Sequence, residues 1–360
     1  MRHKHTNVEK LVIQIVQTGK IPVHTDAHSK PLLELLNTES NWKQSVTYAM
    51  NLHALTPYLV AIHRSPEKVT LNEKLRLEID NLLSRERMWL AVLDQELELV
   101  LSLFSEVHIQ VITLKGMDLG TRFYPDRILR SMTDIDLLVH KSHFPYALNV
   151  LEKAGFQVVG SRLKKRFRIE LSRGKGHPII ELHSSLLVGY TNAMLKNIWT
   201  RSFEIPATKT SPSMRVMSAE DTLVYLIGHA AVQHLLESPV WLNDIHYLIK
   251  NSPTLDWNFI LKNLKEAHHF VAGWFVLGIL IEGWDTPIPI EVQKLIRSQM
   301  GVLKRKILSF SMSSSTWFLP QPKSFLAVIK YRILLRDNWY EAYKYAANRY
   351  LPKLPPITRF

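Results

Sequence analysis

The feature that most constrains the fold is the run Asp134–Val139, in which acidic and apolar residues alternate before two further apolar positions. On a β-strand, Asp134 and Asp136 would project from one face while Ile135 and Leu137 enter a core on the other. Neighbouring carboxylates repel each other, and a divalent cation is the usual compensation for keeping them together. An isolated Asp-Ile-Asp triplet is more often a strand edge or a turn, so the functional interpretation depends on its context.

A second pair with the same spacing follows at Glu181 and His183, with Ile180 and Leu182 facing the opposite way. Glu181 would supply a third carboxylate from a neighbouring strand. Three carboxylates can hold two metal ions about 3.5–4 Å apart, one activating a hydroxyl and the other neutralising a leaving pyrophosphate. The pattern therefore predicts metal-dependent nucleotidyl transfer. His183 could position the substrate hydroxyl, accept its proton or hold Glu181, and a buried structural histidine is an equal alternative.

The chain divides by pattern into three parts. Up to about Glu106, apolar residues recur three and four apart, as in amphipathic helices. Ser218, with an acid three residues on, is a typical helix start and opens a second helical region. Between them lie a helical segment at His143–Ala154 and five extended runs: Ile109–Leu114, Ile135–Val139, Gln157–Val159, Arg166–Leu171 and Pro178–His183. We predict an α+β protein with helical regions at residues 1–106 and 201–360 flanking a mixed-sheet core at residues 107–200.

Composition narrows the chemistry further. The 360 residues contain no cysteine, which excludes disulfides and thiolate metal sites and leaves carboxylates and histidines as ligands. The net charge of +13 favours polyanionic partners such as nucleoside triphosphates, nucleic acid or acidic lipid surfaces. We find neither a signal peptide nor an apolar run of the roughly 20 residues that a membrane span needs, so a cytoplasmic protein is expected.

The context of the two aspartates carries a family resemblance. A Lys-Gly pair ends the first strand, a Tyr-Pro follows, an arginine stands shortly before Asp-Ile-Asp, and a Glu-Leu-His comes later. These motifs are Lys115-Gly116, Tyr124-Pro125, Arg130, Asp134–Asp136 and Glu181–His183. Together with a helix around Trp42, a helix from Ala219 to His229 and Asp244-Ile245, they resemble a family of uncharacterised nucleotidyltransferases in the polymerase-beta-like superfamily. The resemblance extends over roughly residues 40 to 285.

This resemblance implies a polymerase-beta-like core, Mg²⁺ or Mn²⁺ bound by Asp134, Asp136 and Glu181, and a nucleoside triphosphate donor, with ATP expected. The acceptor would be a hydroxyl or phosphate held by the C-terminal helices. Where most of the superfamily has Gly-Ser, this chain has Lys115-Gly116. Gly116 could still admit the triphosphate to the backbone, and Lys115 could add a point charge on phosphate.

Arg130 lies four residues before the first aspartate, and its planar guanidinium is suited to phosphate oxygens. The alternative is a surface arginine that pairs with Asp134. Arg122 and Arg127 are weaker candidates. His229 needs a partner in its apolar helix, and Asp244 is one possibility, either as a structural pair or at the acceptor cleft.

Two further functions stay open at this point. The altered Lys115-Gly116 motif is compatible with an inactive, basic nucleotide-, RNA- or peptide-binding module on the same fold. Resemblance to family members from peptide-biosynthesis clusters, including lasso-peptide clusters, suggests a tailoring enzyme that acts on a peptide. A nucleic acid acceptor is possible but not favoured. Residues 323–353 form a basic segment with many aromatic residues, which predicts either an amphipathic helix pair or a solvated face over a packed stripe.

Overall fold

A computed structural model describes residues 6–20, 32–159, 168–187, 189–208, 211–234, 236, 238–298, 335–337 and 340. Most of the basic segment at residues 323–353 lies outside this part of the chain. Within the described residues, no helix is both long enough and apolar enough to cross a membrane.

Helices dominate both ends of the described chain. The helices are α1 (Asn7–Thr18), α2 (Glu39–Asn51), α3 (Leu55–Arg64), α4 (Glu73–Glu106), α5 (Lys115–Arg122), α6 (Phe144–Lys153), α7 (Asn192–Arg201), α8 (Ala219–Ile227), α9 (Pro239–Lys250), α10 (Trp257–Glu266), α11 (Phe270–Trp284) and α12 (Ile290–Ser298). The strands are β1 (Val111–Leu114), β2 (Asp134–Val139), β3 (Gln157–Val158), β4 (Arg168–Ser172), β5 (Ile179–His183), β6 (Phe203–Ile205) and β7 (Met214–Val216).

Five strands form one mixed sheet in the order β1-β2-β5-β4-β3. β2 and β5 run parallel, whereas the other neighbouring pairs in this sheet are antiparallel. A separate two-stranded sheet joins β6 and β7, and it corrects the prediction that the chain is helical from residue 201 onward. The mixed sheet between helical flanks confirms the predicted α+β fold class.

The two faces of the main sheet belong to different hydrophobic cores. Ile135, Leu137, Ile180 and Leu182 pack with α4 and α6 in one core, as the alternation in the sequence predicts. The second core joins residues of α1–α4 to residues of α8–α11. The N-terminal and C-terminal helices therefore pack together on the side of the sheet that carries the acidic residues.

The helix predicted to begin at Ser218 changes character partway along. The Ser218 hydroxyl accepts a hydrogen bond from the backbone N–H of Asp221 at 3.1 Å, which caps the start of α8. After Ile227 the chain continues as a π-helical turn, Gly228–Gln233, which the sequence pattern did not predict. π-Helical turns occur frequently at functional sites.

Candidate active site

The acidic residues meet through the register of the two parallel strands. Asp136 of β2 lies directly opposite Glu181 of β5, and Asp134 lies two residues earlier on β2. Both Asp136 and Glu181 are buried, while Asp134 is half-buried. The three carboxylates predicted from the sequence therefore lie on one sheet face, between the sheet and the helices.

Lys115 places a cation among these carboxylates. β1 ends at Leu114, which is paired with Asp136 across the sheet, so the next residue reaches over the same face. The Lys115 Nζ donates to Asp136 Oδ1 at 2.6 Å and lies 3.9 Å from Glu181 Oε2. Burial alone would lower the pKa of Lys115, but the charges of Asp136 and Glu181 raise it above its ordinary value. The residue adopts the left-handed backbone region at φ 48°, which is uncommon outside glycine.

His183 lies against the same two carboxylates. Its Nε2 is 3.0 Å from Asp136 Oδ1 and 3.4 Å from Glu181 Oε2. Burial would raise the pKa of Asp136, but Lys115 and His183 outweigh this effect and hold that pKa well below its usual range. Asp136 is therefore ionised; it accepts a hydrogen bond from the Lys115 ammonium and lies within hydrogen-bond distance of His183 Nε2.

The residues around Asp136 fit a divalent cation. Ligand atoms of Asp136, Glu181 and His183 all lie within 4.8 Å of one another, which is compact enough for one ion to reach all three. Two carboxylates and an imidazole form a donor set that suits Mn²⁺ or Zn²⁺ as well as Mg²⁺. The same space is close to the Lys115 ammonium, so an ion would have to compete with this lysine.

Asp134 is outside this compact group, although it shares the sheet face. Burial, followed by repulsion from Asp136, raises the pKa of Asp134 to about 6. Because Lys115 opposes this rise, Asp134 lies within the electrostatic range of the same cation. A bound cation would lower the cost of its charge.

Arg168 is a site residue that the sequence reasoning missed. It begins β4, directly opposite His183 of β5, and its Nη1 donates to Glu181 Oε2 at 2.6 Å. The alternation of Arg168 and Glu170 on a predicted strand was a usable signal, since it places both on one face. Glu181 is thus shared between Arg168 and the Lys115–His183 side of the cluster.

Arg130 is buried and binds a carboxylate of the helical region. Its Nε donates to Asp244 Oδ1 of α9 at 2.6 Å, and the Tyr124 hydroxyl donates to the same oxygen at 2.7 Å. Arg130 and Tyr124 are therefore the hydrogen-bond partners of Asp244, whereas the sequence had suggested His229 as its partner. Asp134 also interacts electrostatically with Arg130, so the guanidinium lies near the acidic face.

The remaining candidates of the Lys-Gly motif and its loop lie against, or pair with, residues other than the three carboxylates. A Cβ on Gly116 would meet the Met132 side chain at 2.6 Å, so the absence of a side chain there makes room for Met132. Arg122 pairs with Asp118 on α5, and Arg127 pairs with Asp94 on α4 at 2.5 Å. Neither arginine binds a carboxylate of the sheet face.

Aromatic side chains from the C-terminal helices cover the acidic face. Tyr225 of α8 interacts electrostatically with Lys115, Asp136 and Glu181. The ring of His229 lies 5.8 Å from that of Tyr225, measured between centroids, and His234 and Trp241 lie beyond it. The turn Gly228–Gln233 therefore brings aromatic rings close to the side of the sheet that carries the carboxylates.

The mixed sheet presents paired carboxylates beside the start of α5, which is the arrangement that the sequence pattern led us to expect of a nucleotidyltransferase. Residues 38–281, more than half of the chain, match a protein family described as "Uncharacterised nucleotidyltransferase". The chain belongs to this family, as the resemblance of its motifs had indicated, and over nearly the predicted extent.

Two solved structures show distant similarity. The lincomycin-bound crystal structure of the lincosamide antibiotic adenylyltransferase LnuA has 18% sequence identity and a TM-score of 0.32, and the match covers 43% of this chain and 95% of that one. An antigenic nucleotidyltransferase-like protein from Paracoccidioides brasiliensis has 15% sequence identity and a TM-score of 0.31, and the match covers 51% of this chain and 91% of that one. No curated protein matches the chain at a significant level.

Proposed function

We propose that the protein transfers a nucleoside monophosphate from a nucleoside triphosphate, with ATP as the expected donor, to a hydroxyl or phosphate acceptor. The observation that carries this proposal is the register that pairs Asp136 with Glu181 on adjacent parallel strands, with Asp134 on the same strand. Family membership supports the reaction class. The cytoplasm, where nucleoside triphosphates are abundant, is the expected compartment.

Asp134, Asp136 and Glu181 are the proposed ligands for Mg²⁺ or Mn²⁺, in a one- or two-ion arrangement. His183 is either a further ligand or the residue that orients the carboxylates, because its Nε2 contacts both Asp136 and Glu181. A bound ion would supply Lewis-acid stabilisation of charge on the phosphate oxygens. The compact donor group around Asp136 supports this assignment.

The start of α5 is the proposed triphosphate-binding element. Its first backbone N–H groups follow β1 and have no capping side chain, and helix N-termini favour anions. Lys115 would exchange its carboxylate partners for phosphate oxygens, Gly116 would keep the backbone accessible, and Arg130 would add positive potential. Because the Arg130 guanidinium is bound to Asp244, it would act on the triphosphate through its electrostatic potential rather than by direct contact.

In the proposed reaction, the acceptor oxygen forms a bond to the α-phosphorus as the bond from that phosphorus to the bridging oxygen breaks. Pyrophosphate leaves with the electron pair, and the acceptor proton passes to water. The C-terminal helical region, from residue 201 onward, is the proposed acceptor-binding part because its α8 and the following turn cover the carboxylates. A peptide is one acceptor to be tested; nucleic acid is not favoured.

The test is to incubate the protein with Mg²⁺ or Mn²⁺ and each of four α-labelled nucleoside triphosphates, and to measure pyrophosphate release. The acceptor panel contains alcohols, phosphomonoesters and peptides. Asp136→Asn is the active-site control, and Asp94→Asn is a control at a carboxylate that binds Arg127 away from the sheet face. Release that Asp136→Asn abolishes and Asp94→Asn retains would support transfer.

A second candidate is a binding module without transfer activity. The observation that favours it is the Lys115 ammonium among the carboxylates, because an internal cation already compensates Asp136 there. Under this alternative, triphosphate binds without pyrophosphate release under every condition of the same panel, and the metal dependence of binding is lost.

A further inference from the structure

Three aromatic rings form a group above the acidic face. His229 and His234 belong to the π-helical turn and the residue after it, and Trp241 belongs to α9. The centroid of His234 is 4.5 Å from His229 and 4.5 Å from Trp241, and His229 and Trp241 are 5.7 Å apart and nearly perpendicular. We call these residues the ring group.

The ring group lies within electrostatic range of the acidic face. His229 interacts electrostatically with Lys115 and Asp136, and His234 with Lys115, Arg168 and Glu181. His229 is buried, whereas His234 and Trp241 are half-buried. The group thus combines one buried imidazole with two half-buried rings.

His229 has an unsatisfied polar atom. Its side chain is 5% exposed, and its Nδ1 has no hydrogen-bond partner among the described residues. Buried polar atoms in folded proteins nearly always have a partner, so an isolated one requires an explanation. The turn that carries His229 is π-helical, and such turns are frequent at functional sites.

We propose that the ring group is the acceptor subsite and that His229 Nδ1 hydrogen-bonds the hydroxyl that attacks the α-phosphorus. This inference rests on the proposed nucleotidyl transfer and narrows its acceptor to a neutral alcohol with a flat ring or sugar face. A hydroxyl can donate or accept, so it satisfies Nδ1 in either tautomer of the imidazole, whereas a phosphate dianion can only accept. The accessible rings of His234 and Trp241 provide a surface for the flat face of the acceptor.

His229 acts here by orientation and not as a base. Burial, followed by the charge of Lys115, holds the pKa of His229 well below its usual range, so the ring is neutral. A neutral ring can hold the attacking oxygen without adding a charge beside Lys115. The hydroxyl proton passes to water, as in the overall reaction.

The test uses water as the minimal hydroxyl acceptor, benzyl alcohol as an alcohol with a flat ring, and phenyl phosphate as its phosphate counterpart. Pyrophosphate release from MgATP is measured for wild type, His229→Phe, His229→Asn and Asp136→Asn. His246→Phe is the matched control, because His246 is a half-buried histidine of α9 that contacts Thr286 instead of the site. Circular dichroism verifies that each variant is folded.

We expect His229→Phe to lower kcat with water and with benzyl alcohol at least tenfold, with the KM for ATP changed less than twofold. His229→Asn, which restores a polar atom near Nδ1, should recover part of the loss, and His246→Phe should match wild type. An unchanged kcat in His229→Phe, or a loss confined to ATP binding, would overturn the inference while leaving nucleotidyl transfer intact. Stimulation by phenyl phosphate but not by benzyl alcohol would overturn the alcohol assignment. Wild-type release no greater than that of Asp136→Asn would instead overturn the proposed function.

A binding measurement covers the case in which His229→Phe does not fold. Saturation-transfer NMR of benzyl alcohol is recorded with a non-hydrolysable ATP analogue and Mg²⁺ present. Trp241→Leu should abolish the signal, whereas Trp274→Leu, a half-buried tryptophan of α11 outside the ring group, should retain it. An equal signal in both variants would contradict an acceptor subsite at Trp241.

Discussion

The Lys115 ammonium donates to Asp136 Oδ1 across 2.6 Å, in the middle of the carboxylates proposed to bind metal. Both side chains are buried, so this ion pair is shielded from solvent and depends on its other hydrogen bonds. A lysine in this position compensates the acidic charges before any ligand arrives. Metal and triphosphate binding would then require it to change partners.

Replacing Lys115 should therefore strengthen metal binding. In Lys115→Met, Asp136 and Glu181 lose their internal cation, and we expect the Kd for Mn²⁺ to fall at least tenfold, about 1.4 kcal/mol. Without metal, the unpaired buried carboxylates should cost about 3–5 kcal/mol of stability. Electron paramagnetic resonance of free Mn²⁺ and thermal melting measure the two effects. Lys115→Arg serves as the charge-conserving control, and weaker Mn²⁺ binding in Lys115→Met would refute the exchange of partners.

The identity of the metal should depend on His183. Because its Nε2 lies 3.0 Å from Asp136 Oδ1, an ion held at this carboxylate could also bind the imidazole, a ligand that transition metals accept more readily than Mg²⁺. His183→Asn should weaken Mn²⁺ binding at least fivefold and change Mg²⁺ binding less than twofold. Calorimetric titration of both ions gives the ratio. Equal losses for the two metals would indicate that His183 only orients the carboxylates.

The Arg130–Asp244 pair should act as a structural junction. It joins the loop before β2 to α9, and Asp244 is 1% exposed on its side chain. Asp244→Asn should lower the free energy of unfolding by about 3–5 kcal/mol, because it leaves the Arg130 charge buried and uncompensated. The Arg130→Met/Asp244→Asn double variant should lose less than the sum of the single variants, measured by urea denaturation. Additive losses would show that the two residues are not energetically coupled.

His234 should make the protein less stable as the pH falls below about 6.5. Burial, then Lys115, lowers the pKa of His234 to about 4, so the unfolded chain takes up a proton near pH 6.5 that the folded protein does not. The contribution of His234 to stability therefore declines between about pH 6.5 and 4, by at most about 1.4 kcal/mol per pH unit. The groups facing His234 are Lys115, Arg168, Glu181 and His53.

The check is the free energy of unfolding of wild type and His234→Gln at pH 7, 6 and 5. The variant should show a shallower decline, because it lacks the group that protonates on unfolding. His143→Gln, at an exposed histidine before α6, is the control and should keep the wild-type slope. Parallel curves for wild type and His234→Gln would rule out this histidine as a source of the pH dependence.

Local patterns were sufficient for the strands of the main sheet and for their faces, but they missed the pair β6–β7. Side chains two residues apart on a strand share one face, so Asp134 lies on the same face as Asp136, and Glu181 on the same face as His183. This holds regardless of which strands pair with each other. The serine before α8 likewise predicts a helix start because capping involves only neighbouring residues. The π-helical turn at Gly228–Gln233 has no comparably local signal, and the sequence pattern continued as an ordinary helix.

The sequence by itself determined which residues share a face and that acids, a histidine and a Lys-Gly pair would meet near one sheet. The tertiary structure alone decided that Glu181 lies opposite Asp136, that Lys115 is their cation, and that Arg130 binds Asp244. These contacts join residues 21 to 114 positions apart, so they depend on strand register and helix packing. The tertiary structure also decided that α1–α3 and α8–α11 share one core, because burying their apolar faces required partners from the opposite end of the chain.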